Sequence, residues 1–170
     1  MKRKKIMIVD GYNVIHRVPA LKRHLARGLA PARDALVRYC GGWMTKRKDI
    51  GAIYAVFDGD SSVLGVSHGT ARGVSAIFTR TGEEADSRIL DIIKRGRPGV
   101  EYIVVSDDGY VSLTSRRFGA SAMTVSEFYR RPAPGRAWKE QEADEGEKES
   151  LSPGEERDIF EELKREWGVR

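Results

Sequence analysis

The chain of 170 residues contains a single cysteine, Cys40, so it can form no internal disulfide. With only three histidines besides, it lacks the residues of a Cys-rich structural zinc site. Long hydrophobic runs are absent too. From Met1 to Val9 a Lys-Arg-Lys-Lys cluster is followed by four apolar residues before Asp10 interrupts, too short for a signal peptide or a membrane span. An intracellular, cytoplasmic protein with no membrane partner is therefore expected. Phosphate-cradling glycine loops are missing: neither G-x-x-x-x-G-K-[ST] nor G-x-G-x-x-G occurs, which removes support for the P-loop and dinucleotide classes. Gly65-Val66-Ser67-His68-Gly69 does match the G-x-S-x-G nucleophile elbow. That motif needs a strand before, a helix after and a downstream histidine; here a loop is expected before and a strand after, and no histidine follows His68. His16, His24 and His68 share no metal-ligand spacing.

What is present is the composition of a soluble globular protein, with 40% hydrophobic and 32% charged residues, at a length suited to about one domain. The net charge of +5 hides a division: residues 1–130 carry 22 Lys and Arg against 13 Asp and Glu, whereas 131–170 carry 8 against 12. Arginine outnumbers lysine 20 to 10, and guanidinium forks pair bidentately with phosphate, so a polyanionic partner fits the basic body. Solvation of surface helices would account for the same arginines.

Four short apolar runs read as strands: Lys5 to Asp10, Gly51 to Asp58, Val74 to Thr79 and Val100 to Asp107, with Ala120 to Val125 a weaker fifth. Helical patterns lie between them at Pro31 to Lys46, Thr81 to Arg95 and Tyr110 to Phe118. This alternation predicts an α/β domain with a parallel sheet covered on both faces. Residues 131–151, rich in charge, proline and glycine, read as an acidic flexible linker. Beyond it, Ser152-Pro153-Gly154-Glu155 has capping-box form, and a C-terminal helix is expected over 152–170, with Ile159, Phe160, Leu163 and Trp167 on one face.

Three of the predicted strands end in aspartate: Asp10, Asp58 and Asp107. In an open parallel sheet these side chains collect at the carboxyl edge, where ligands bind. The helix after the third strand adds a fourth acid. Thr81 and Glu84 fit a capping box that would give Glu84 a structural role. At about 100° per residue, Asp86 falls inside the apolar stripe of Ile89, Leu90, Ile92 and Ile93, with Glu83 at its edge. A carboxylate on a core-facing stripe is costly unless it is hydrogen-bonded, paired with an arginine or bound to a cation. Acids gathered on one concave edge, with few His or Cys, suit a hard ion such as Mg²⁺ or Mn²⁺ and, through it, phosphodiester hydrolysis.

The stretch Ile8-Val9-Asp10-Gly11-Tyr12-Asn13-Val14-Ile15 resembles the opening of the YacP-like branch of the NYN domain nucleases, relatives of the PIN domain fold. The resemblance continues through Val56-Phe57-Asp58, Glu83-Glu84-Ala85-Asp86 and Ser106-Asp107, so it covers about residues 5–130. It implies a Rossmann-like, three-layer α/β nuclease domain over residues 1–130, with a mainly parallel central sheet, divalent metal and ribonuclease activity in bacterial RNA metabolism. By the same resemblance Asp10, Asp86 and Asp107 form the catalytic metal cluster, supported by Glu83 and Asp58. Asn13 would orient a ligand or phosphate, with Arg17 and Arg80 as further substrate-binding residues. For Asn13, turn geometry after the first strand is an equally good account. Of Asp107 and Asp108, one is expected to cap the helix beginning near Tyr110, and Asp107 is favoured as the ligand.

The leading expectation is thus a metal-dependent ribonuclease, an endonuclease using Mg²⁺ or Mn²⁺ on single-stranded or unpaired RNA, with the ribosome as an expected setting. The alternative is a non-catalytic RNA-binding module of the same fold. A phosphatase or phosphoacceptor on the same sheet is disfavoured, because Tyr12 stands where a second nucleophile-motif aspartate belongs.

Overall fold

A computed structural model describes residues 4–59, 65–68 and 71–130. The expected linker at 131–151 and the helix at 152–170, with its Ser152 cap, lie outside the described residues. The chain runs β1 (Lys5–Asp10), α1 (Gly11–Arg17), α2 (Pro19–Lys22), a 3-10 turn (Arg23–Arg27), α3 (Leu29–Lys46), β2 (Ile50–Phe57), β3 (Gly65–His68), β4 (Val74–Phe78), α4 (Ala85–Lys94), β5 (Glu101–Val105), α5 (Gly109–Arg117), β6 (Ser121–Met123) and α6 (Val125–Arg130). All five expected strands are present, within a residue or two of their predicted ends.

The sheet order is β3-β4-β2-β1-β5-β6, and every pairing is parallel except β3 on β4. The G-x-S-x-G run is therefore mostly strand: Gly65–His68 forms the antiparallel edge. At four residues, Gly-Val-Ser-His, the strand is too short to show a hydrophobic pattern. From β1 the chain builds outward through β2 to β4, and α4 then carries it back to the other side of β1 to begin β5. The reversal places the topological switch, where open α/β sheets bind ligands, between β1 and β5.

Strand alternation sorts the core into two layers. Met7, Val9, Ile53, Ala55, Phe57, Ala76, Phe78 and Val105 join one cluster with residues of α1, α3 and α6. There Trp43 of α3 stacks on Phe128 of α6 at 5.2 Å between ring centroids. The alternate residues Ile8, Val56, Ile77 and Val104 are buried as well, under α4 and α5. In α4 the buried side chains are Ala85 and then Ile89, Leu90, Ile92 and Ile93, the last four being the stripe that the sequence periodicity predicts.

Two local expectations give way. The segment after β1 is a helix, α1, that buries Val14 and Ile15, so Asn13 sits in a helical turn rather than a left-handed one. Gly11 is needed for room: a Cβ there would overlap the Phe57 ring and come within 2.8 Å of the Val56 carbonyl oxygen. The capping box at Thr81 does not form either. Helix α4 begins at Ala85, whose N–H donates to the Asp58 carboxylate at 2.6 Å, and Glu84 occupies the N-cap position without capping. The first N–H of α4 is held instead by a carboxylate from the end of β2.

Candidate active site

The end of β1 carries its carboxylate on the α4 side of the sheet. Asp10 follows Val9 of the α3 layer and shares the parity of Ile8, and it is only 7% exposed. Parity treats β2 and β5 the same way. Asp58 follows Phe57 and faces α4, where it receives the Ala85 amide. Ser106 follows Val105 and turns toward Asp10, donating its hydroxyl hydrogen to Oδ2 at 2.9 Å.

Burial pushes the Asp10 carboxyl up to about 6; the Ser106 hydroxyl opposes this, the charges of Asp86 and Asp58 add to it, and the Asn13 backbone amide opposes it weakly. Asp86, in the first turn of α4, is also raised, first by burial and then by the charges of Asp108, Glu84 and Asp58. Asp58 and Asp86 thus lie near enough to act on Asp10, and Asp58 and Asp108 near enough to act on Asp86. Of the acids expected at the carboxyl edge, Asp58 and Asp86 act on Asp10 in this way, with one change in the pair that follows β5.

The change concerns Asp107. One residue past Ser106, it has the opposite parity and points into the α1 and α6 layer. Its Oδ1 accepts the Val125 N–H at 2.8 Å, which caps α6, and its Oδ2 lies 3.5 Å from the Arg17 guanidinium. Asp107 is absent from the charges that act on Asp10 and Asp86. Asp108 is the member of the pair that does act on Asp86, while its Oδ1 caps α5 through the Val111 N–H at 3.0 Å. Ser106 ties the two ends together, because its Oγ also accepts the Asp108 N–H at 3.0 Å. Strand parity continued from Val104 and Val105 separates the two aspartates.

The remaining expected residues are placed as follows. Asn13 accepts the Asp107 N–H on its side-chain oxygen at 3.0 Å and so holds the loop after β5. Glu83 is paired with Arg88 at 2.9 Å and also accepts the Arg80 N–H at 3.3 Å, which makes it a brace for the turn before α4. Arg17 and Arg80 are exposed. Gly59, after Asp58, donates its N–H to the Thr79 hydroxyl at 2.8 Å, and a Cβ there would collide with the Thr79 carbonyl oxygen. Only glycine lets this loop lie against the end of β4 and hold Asp58 over α4.

Carboxylate and hydroxyl oxygens are hard donors, and Asp10 and Asp86, raised first by burial and then by the neighbouring carboxylates, are of the type that suits a hard cation. Among the described residues, no three His, Cys, Asp or Glu side chains are grouped to clasp an ion by themselves. No helix among the described residues is long and apolar enough to cross a membrane.

The chain is similar to two solved structures of Rae1 (YacP) from Bacillus subtilis. With a mutant of that protein, in which one tryptophan is replaced by leucine, it shares 26% identity at a TM-score of 0.62, over 74% of this chain and 73% of the other. With the structure that carries no stated mutation the identity is 26% and the TM-score 0.60, over 74% and 72%. No curated protein matches. The YacP-like NYN domain matches residues 7–167, nearly the whole length. The chain therefore belongs to the YacP-like NYN domain family, whose nuclease-like fold acts on RNA.

Proposed function

We propose that the protein is a metal-dependent endoribonuclease that hydrolyses phosphodiester bonds in single-stranded or locally unpaired RNA in the cytoplasm, ribosome-bound RNA included. The observation that carries this reading is that Ser106 joins Asp10 to the Asp108 backbone across the switch point while Asp58 is bonded to the first turn of α4, next to Asp86. So many acids on one edge oppose folding unless they serve a ligand, and an RNA-acting family makes a cation bridging to phosphate the natural one.

Asp10, Asp86 and Asp108 would hold Mg²⁺ or Mn²⁺, with Asp58 in support; the bound ion would offset phosphate charge and lower the pKa of its water. Within the chain, Ser106 orients the Asp10 carboxylate and fixes the Asp108 backbone. Asn13 holds the loop that bears both Asp107 and Asp108. The exposed guanidinium groups of Arg17 and Arg80 meet substrate phosphates outside the acidic edge, and Glu83 keeps the turn between Arg80 and α4 in shape. An unpaired strand can bend a phosphate into this edge, which a rigid duplex resists.

A non-catalytic RNA-binding module is the second reading, favoured by the carboxylates not being grouped to clasp an ion among the described residues. The two readings separate in one assay. Purified protein with Mg²⁺ or Mn²⁺ should cleave unpaired RNA or ribosome-bound RNA and stop on chelation, and Asp86→Asn should abolish cleavage while RNA binding at low salt persists. RNA binding without metal-dependent cleavage on any of these substrates would make the binding module the better reading.

A further inference from the structure

Five large hydrophobic side chains are exposed among the described residues, and three of them lie on α5 or at its end: Tyr110 at 65%, Leu113 at 54% and Phe118 at 50%. Helix α5 contains two arginines, Arg116 and Arg117, and no acid. Tyr110, Leu113 and Arg117 recur at helical spacing, so they form one stripe on its outer side, while Val111 and Ser115 are buried on the inner side. Phe118, just past the helix, carries the Lys94 ammonium 5.0 Å from its ring centroid. An apolar face interleaved with cations, on a helix whose N-cap is a member of the acidic edge, is costly to leave in water without a partner.

We propose that the outer stripe of α5 is a stacking track for unpaired RNA bases, with Tyr110 as the platform nearest the acidic edge. The proposal rests on the ribonuclease reading for its substrate class, and it adds the element that recognises bases rather than phosphates. Tyr110 stands two residues after Asp108. Side chains on a helix lean toward its N-terminus, so the ring inclines over the turn that Asp108 caps. A base stacked there would belong to a nucleotide next to the phosphate at the acids. Arg117, two turns along the stripe, and Arg116 beside it meet the backbone of the same strand as it runs down the helix. Stacking on an aromatic face is sequence-tolerant because every base has one, and it requires an unpaired base. The track therefore selects for single strands without selecting a sequence.

The test uses the full chain with chelator present, so that binding is read without cleavage. Its probes are a short fluorescein-labelled RNA lacking secondary structure and the matching strand of abasic nucleotides. Tyr110→Ala should weaken binding to the base-bearing strand by about tenfold, within the range for loss of one stacked base, and leave the abasic strand unaffected. Tyr110→Phe should bind as wild type does. Arg117→Gln should weaken both strands alike and reduce the salt slope by about one. Equal affinity of wild type and folded Tyr110→Ala for the base-bearing strand would overturn the track. If Tyr110→Ala or Leu113→Ala instead dissociates a dimer and leaves RNA affinity intact, the face is an interface between copies and the proposal fails. Tyr110-dependent binding by a protein that never cleaves RNA would remove the nuclease reading and keep the track; absence of any RNA binding would remove both.

Discussion

Ser106 donates its hydroxyl to the Asp10 carboxylate at 2.9 Å and accepts the backbone N–H of Asp108 at 3.0 Å, so one buried oxygen sets the positions of two acids from adjacent strand ends. This link is the hinge of the site. It fixes Asp10 from β1 against the loop after β5 across the switch point, and it accounts for the carboxylate's one strong opposition to the effect of burial.

Asp107 and Asp108 are neighbours with different employment, and substitution should separate them. Asp107→Ala removes the acceptor of the Val125 N–H and the Arg17 pair while the Thr124–Glu127 capping box of α6 remains, so a stability loss of about 1 kcal/mol is expected in urea titration, with metal-dependent cleavage changed only a few-fold. Asp108→Ala also loses a cap, but cleavage should fall more than the roughly 10- to 100-fold typical of groups that merely orient metal ligands. The reverse ranking in cleavage would restore Asp107 to the metal cluster.

Asp10 makes the metal-free fold less stable as pH rises. Its folded value is about 6 against 3.8 for the free side chain, so between these values the folded state binds the extra proton. Stability contributed by that proton is present below about pH 4 and is lost by pH 6 to 7, up to about 3 kcal/mol as an upper bound. Asp10→Asn keeps an acceptor for Ser106 and removes the charge. With chelator present, the variant should be more stable than wild type above pH 6 and equal to it near pH 4. Asp49 runs the opposite way, held down to about 2 by its bond to Arg47, and it cancels in the wild-type-minus-variant difference. A difference that does not change from pH 4 to 7 would contradict the assigned shift.

Cation binding should register in stability without any substrate. Mn²⁺ or Mg²⁺ in excess of its dissociation constant raises the thermal midpoint by a few degrees for each ~1 kcal/mol of binding linkage. The same titration of Asp86→Asn should give little or no rise. If both proteins shift equally, the ion binds elsewhere.

Gly11→Ala tests the close approach of α1 to β2. The added methyl meets the Phe57 ring and the Val56 carbonyl, and the carbonyl is part of the sheet and cannot move aside. Overpacking of about 1–3 kcal/mol is expected, read as a lower urea midpoint with an unchanged slope. A variant as stable as wild type would mean that α1 can shift, and then Asn13 and Arg17, on the same helix, should lose their effect on cleavage.

The sequence alone determined the five parallel strands, though not the antiparallel edge strand β3, and the strand ends that carry Asp10 and Asp58. Apolar runs such as Ile6 to Val9 and Ile103 to Val105 announce strands because burial on both faces demands an unbroken series of hydrophobic side chains. Asp10 and Asp58 are legible as strand-end acids for the same reason, and Asp86 is legible because a carboxylate inside the Ile89 to Ile93 stripe breaks a 3.6-residue pattern. Tertiary structure decided which groups share a face and which donors reach them. Period-two alternation places Ser106 with Asp10 and sends Asp107 to α6, a consequence of strand pleating that depends on where β5 ends. A capping box at Thr81 would start α4 three residues earlier and cap the Glu84 N–H, whereas the helix starts at Ala85 because the packing of β2 beside β4 brings Asp58, 27 residues away, to 2.6 Å from the Ala85 N–H. Local sequence ranks partners by separation along the chain, whereas the folded protein ranks them by distance in space.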